Sequence, residues 1–138
     1  MIEQVLHSET TGWKTDDLIS VVLPTTGRAE RAEKCVRRLL ETVKDWSVEV
    51  ICVVDVDTDT RDRVAVIGYP VKVNFSPVYR GLPQSWNIGL KEANGLYIVF
   101  AADDLWWGDN WLYEAIQVMA EKFDYKGGMV GFNDTHTD

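Results

Sequence analysis

Apolar residues fall along this chain in two alternating rhythms. Residues 18–24 (LISVVLP), 48–54 (VEVICVV) and 96–102 (LYIVFAA) are short, nearly continuous apolar runs rich in β-branched or aromatic side chains. Runs of that length predict strands covered on both faces. Residues 69–75 alternate and predict a shorter strand, and 129–132 (MVGF) predict a last one. Between the runs the spacing turns helical. Ala29, Ala32, Cys35, Val36, Leu39, Leu40 and Val43 make one apolar stripe, with Glu30, Arg31, Glu33, Arg37, Arg38 and Glu41 on the outer face. A second helix is expected over 83–94, with Pro83 in its first turn and Gly95 just past its end. Trp111, Leu112, Ala115, Ile116, Met119, Ala120 and Phe123 mark a third, capped by Asp109 or Asn110 and followed by Gly127-Gly128. Residues 1–17 carry no sustained period and read as an arm ahead of one domain over 18–138.

Strands alternating with helices imply βαβ units, hence a three-layer α/β/α domain around a mostly parallel sheet. Ligands of such sheets sit beyond the carboxyl ends of the strands. Three runs end there in polar chemistry: Thr25, Thr26 and Arg28 after the first, Asp55 and Asp57 after the second, Asp103 and Asp104 after the 96–102 run. Parallel strands place all three tails on one edge.

Composition narrows the class. Hydrophobic residues make up 46% and charged residues 26% of 138, ordinary values for a single globular domain. No apolar run approaches a bilayer's thickness, and the polar, acidic start lacks the pattern of a signal peptide. Cys35 and Cys52 sit inside apolar patterns and read as small buried hydrophobes, consistent with a reducing, cytoplasmic setting. The net charge of −8, without a basic cluster, argues against a nucleic-acid partner.

The adjacent carboxylates have two readings. In one, Asp103 and Asp104 form a strand-to-helix turn, one capping and one solvated, and Asp55, Asp57 and Asp59 form a polar loop. In the other, two carboxylates that would repel are neutralised by Mn2+ or Mg2+, hard cations that bridge the phosphates of a nucleotide. The chain has no Gly-rich phosphate loop and no nucleophile elbow. Its two histidines, His7 and His136, lie near opposite ends. Trp106, Trp107 and Trp111 serve either as a cover over the core or as a flat face for a sugar ring.

Taken in order, "ISVVLPTTGRAERAEKCVRRLL", "VEVICVVDVDTDT" and "RGLPQSWNIGLKEANGLYIVFAADDLWW" resemble the family 2 glycosyltransferases of GT-A fold, over roughly residues 18–120. The resemblance implies a Rossmann-like nucleotide-diphospho-sugar transferase fold and a metal-dependent inverting enzyme. Pro24, Thr25, Thr26, Arg28, Asp57 and Asn87 would then lie about the nucleotide. Asp55 would accept a hydrogen bond from the base, with uracil and so a UDP-sugar favoured. Arg80 would contact the nucleotide. Asp103 would meet the ribose or the metal, and Asp104 would ligate the metal. The family's Asp-Asp-Gly-Ser is Asp55-Val56-Asp57-Thr58 here, and Ala102 stands where many members carry an aspartate. Members continue well past this length, so the chain is expected to be the donor half, truncated before the acceptor part. Such a chain would bind a donor weakly, transfer no sugar, and self-associate through an open sheet edge. Asp134 is the candidate base by chemistry and position. The acceptor is unspecified. Two other readings stand beside this one: an inactive nucleotide-sugar-binding or interaction module, and a sugar nucleotidyltransferase, whose Gly-rich loop "PTTGRAERAE" matches poorly.

Overall fold

The expected apolar runs align side by side in one sheet. The structure, a computed structural model, describes residues 5–8, 12–15, 17–123, 129 and 131. Its main sheet has four parallel strands in the order β5-β4-β3-β6: β3 (Ile19–Thr25), β4 (Val48–Asp55), β5 (Val71–Ser76) and β6 (Tyr97–Phe100). A hairpin of β1 (Val5–Ser8) and β2 (Gly12–Thr15) lies ahead of it, antiparallel with Val5 opposite Thr15. The helices among the described residues are α1 (Ala29–Thr42), α2 (Thr58–Ala65), α3 (Leu82–Glu92) and α4 (Trp111–Phe123).

Contacts divide the chain into two compact units. Asp17–Trp107 carry the parallel sheet, and the hairpin with α4 belongs to the other, in which α4 packs on β2. The strand expected at 129–132 falls outside the described residues, Met129 and Gly131 apart, and so does Asp134.

Strand order explains the layers. The chain steps β3, β4, β5 in one direction and then returns across the sheet to β6. Right-handed crossovers therefore put α1 and α2 on one face and α3 on the other. In keeping with this, α1 packs on α2, α2 on β4 and β5, and α3 on β3 and β4. Helices on both faces bury both sides of the central strands. Ile19, Val21, Val22 and Leu23 of β3 are fully covered, as are Val50, Ile51 and Val54 of β4. Each such side chain is worth about 1.5–3 kcal/mol of transfer free energy.

Two glycines let α3 and its exit turn approach β3. A Cβ on Gly89 would lie 2.2 Å from Val22 Cγ1, and one on Gly95 would lie 2.6 Å from Ser20 Oγ. The apolar run 96–102 reads like a central strand. Among the described residues, however, β6 is the sheet's edge, paired with β3 alone and leaving Phe100 half exposed.

At the amino ends of the strands, buried Glu49 ties the layers together. It accepts from Ser20 Oγ at 2.6 Å, Lys72 Nζ at 2.7 Å and the Asn94 backbone N–H at 2.7 Å. Burial pushes its pKa up, but these donors outweigh that and hold it at about 2.

Candidate functional site

Reversal of the chain between β3 and β6 creates a switch point at the carboxyl edge, where loops on either side diverge and leave a crevice. Residues leaving the two strands meet there. Thr25, the last residue of β3, donates from Oγ1 to Asp103 Oδ2 at 2.7 Å, and the Arg28 guanidinium pairs with Asp103 Oδ1 at 3.2 Å. Asp103 is buried, and both of its oxygens are engaged. Asp104, next in the chain, is exposed and makes no hydrogen bond or ion pair among the described residues.

The acidic turn is fastened to α1 from behind. Trp107 is buried, its indole N–H donates to Cys35 Sγ at 3.4 Å, and its carbonyl accepts from Arg38 Nε at 2.9 Å. Trp106 is 76% exposed, with the Arg38 guanidinium over its ring at 5.2 Å. One neighbouring tryptophan is thus core and the other is surface.

Asp55, at the tip of β4, is buried and takes three donors. Arg80 Nε reaches Oδ1 at 2.6 Å, while the backbone N–H groups of Arg80 and Gly81 reach Oδ2 at 2.7 and 3.2 Å. Burial pushes its pKa up, but the Arg80 and Gly81 donors outweigh that and hold it below the usual carboxylate range. A carboxylate offers about four lone-pair sites, so about one acceptor site remains. Arg80 also donates to Asn74 Oδ1 at 2.8 Å, which turns its guanidinium inward. Thr26 closes the neighbouring loop, with Oγ1 donating to the Asp55 carbonyl and accepting the Asp55 N–H, both at 3.0 Å.

Asp57 has a local task. It caps α2, accepting the N–H groups of Asp59 and Thr60 at 3.1 and 3.2 Å and the Thr60 hydroxyl at 2.6 Å. Its other partner is the Gly27 N–H at 2.7 Å, which joins the loop after β3 to the loop after β4. The Thr60 hydroxyl and these N–H groups hold its pKa below the usual range.

A cleft of about 210 Å³ opens among these groups. Pro24, Thr25, Thr26, Arg28, Val53 and Asp55 line one side, and Tyr79, Gly81, Leu82 and Ser85 the other. Asn87 is exposed on α3 and stands outside that lining, as do Asp57 and Arg80. Tyr79, Leu82 and Ser85 were not foreseen. Ser85 lies one helical turn from Leu82 on α3, but nothing in its sequence setting marks it as facing a cleft.

Asp103 and Asp104 suit a hard divalent cation, which characteristically uses one or two carboxylates and leaves its other positions to water and phosphate. Among the described residues no group of three or more His, Cys, Asp or Glu side chains could hold a metal. The pair would therefore need phosphate oxygens to complete the shell.

The domain has the GT-A fold, which it shares with solved structures. A mannosyltransferase from Pyrobaculum calidifontis, in complex with GDP-Man and Mn2+, matches with a TM-score of 0.66 and 25% identity, over 75% of this chain and 32% of that one. Residues 1–349 of TarS from S. aureus match with a TM-score of 0.58 and 24% identity, over 76% of this chain and 33% of that one. The chain thus spans about a third of either relative's length. None of the curated proteins matches it. The sequence model described as Glycosyl transferase family 2 matches residues 20–136, and the chain belongs to that family.

Proposed function

We propose that this chain is the donor-binding part of a glycosyltransferase and holds a nucleotide-diphospho-sugar in the cleft at the β3–β6 switch point. The observation that carries the reading is the meeting of Thr25, Arg28 and Asp103 beside the cleft that Asp55 also lines. The remaining acceptor site of Asp55 suits one N–H of a base such as uracil. Tyr79, 72% exposed on the opposite wall, offers a ring face to that base. Arg28 is the N-cap of α1 and makes no side-chain cap bond, so first-turn N–H groups remain for an anion, beside a guanidinium suited to phosphate.

Asp104, with Asp103, would hold Mn2+ or Mg2+. When bound, such an ion offsets the charge gathering on the departing diphosphate. In the proposed inverting transfer an acceptor hydroxyl attacks the anomeric carbon, the bond to the diphosphate breaks, and a base takes the hydroxyl proton. Asp134 is the proposed base. The likeness to an enzyme seen with GDP-Man and Mn2+ supports a nucleotide-sugar donor in general.

A thermal-shift screen of UDP-, GDP-, dTDP- and CDP-sugars, with and without Mn2+, tests the reading. Ligand binding to the native state raises Tm by mass action, so one donor with Mn2+ should raise it by several degrees. No shift with any donor at millimolar concentration would sink the assignment.

A further inference from the structure

Both oxygens of Asp103 are occupied, so a cation arriving alone finds one uncommitted carboxylate, that of Asp104. The guanidinium on Asp103 belongs to Arg28, whose side chain is 54% exposed while that of Asp103 is 3% exposed. Such an arginine can leave at little loss of packing, whereas the aspartate cannot move. The backbone beside it is held by the Gly27 N–H on Asp57 Oδ2 at 2.7 Å, so the exchange asks only for a change of the Arg28 side chain. The same Arg28 lines the cleft.

We propose that Arg28 is an internal counter-ion that occupies Asp103 while the site is empty and is handed to the donor's diphosphate when donor and metal bind together. This inference rests on the donor-site reading above. It makes metal binding conditional. A divalent ion alone competes with a guanidinium for Asp103 and is also repelled by it. A diphosphate draws the guanidinium away through paired N–H donors and frees the carboxylate. Metal and nucleotide thereby favour one another, and linkage requires the coupling to be mutual. Arg28 acts here as a positioning residue that exchanges one anion for another.

Manganese binding to the full chain, followed by the electron paramagnetic resonance signal of free Mn2+, tests this in the absence and presence of UDP or GDP. Arg28→Gln should bind Mn2+ alone about 3- to 10-fold more tightly than the unmodified chain, the order expected for removing one part-exposed charge. It should bind the nucleoside diphosphate less tightly. Arg28→Lys, which keeps the charge, should stay near the unmodified chain for Mn2+ alone. If Arg28→Gln binds Mn2+ alone no better than the unmodified chain, while that chain binds Mn2+ with nucleotide, the counter-ion inference is overturned and the donor site stands. If no form binds Mn2+ under any condition, both fall together.

Discussion

At the scale of single residues, the most informative position is the one between the two β4-tip aspartates. Val56 has φ +68°, a left-handed conformation that is a genuine outlier for a β-branched side chain. Its N–H bonds the Ser76 carbonyl at 2.7 Å, which pins the backbone there, and its side chain is half exposed. Strain held at a site flanked by Asp55 and Asp57 goes with keeping both carboxylates aimed, one at Arg80 and one at Gly27. Asparagine tolerates this conformation. Val56→Asn should therefore raise stability by about 0.5–1 kcal/mol, read as a higher urea midpoint at unchanged m value. An unchanged or lower midpoint would mean that valine rests there without strain. None of this is visible in the sequence, where Asp-Val-Asp-Thr reads as an ordinary polar turn. Asp55 and Arg80 were each legible as residues of interest. Their partnership was not, because 25 positions separate them and no local pattern couples the two.

At the scale of elements, legibility followed the strength of the period. Strands β3 and β4 announce themselves because both of their faces are buried, α1 and α4 because each carries an apolar stripe, and α3 through Pro83 at its start and Gly95 past its end. Helix α2 was hidden. Its sequence TDTRDRVA buries only Thr60 and Val64, one turn apart, and its remaining positions are mostly charged. What makes it a helix is the Asp57 cap, which by itself looks like loop chemistry. The hairpin β1–β2 was hidden for another reason, since four-residue strands are too short to establish alternation. The close approach of α3 to β3 gives the element-scale prediction. Gly89→Ala places a Cβ 2.2 Å from Val22 Cγ1, so the helix must move outward and carry Ser85 away from the cleft. A loss of roughly 1–3 kcal/mol is expected from such overpacking. Val22→Ala makes room on the strand, so in the Gly89→Ala background it should cost less than it does alone, by at least about 0.5 kcal/mol. Strict additivity of the two would place the clash elsewhere.

At the scale of the whole parallel sheet, its two ends do different things. The carboxyl edge carries the cleft. The amino edge carries Glu49, held by Ser20, Lys72 and Asn94. With its pKa lowered from 4.5 to about 2, Glu49 contributes stability that is fully present above pH 4.5 and is lost as pH falls towards 2. Lys72 is half exposed and screened, so the contribution is about 2–3 kcal/mol rather than the full amount of the shift. Acid unfolding of the unmodified chain should show this loss between those two pH values, and Glu49→Gln should flatten it. A Glu49→Gln profile with the same slope would locate the acid sensitivity elsewhere. Glu49 and Asp55 stand at opposite ends of β4, about 20 Å apart at the usual rise per residue. At that separation their energetic effects are independent. The scaffold's tolerance of acid and the chemistry of its cleft can therefore drift along separate evolutionary paths: a lineage can rewrite the loops around the cleft while the far end of the same strands goes on holding the sheet.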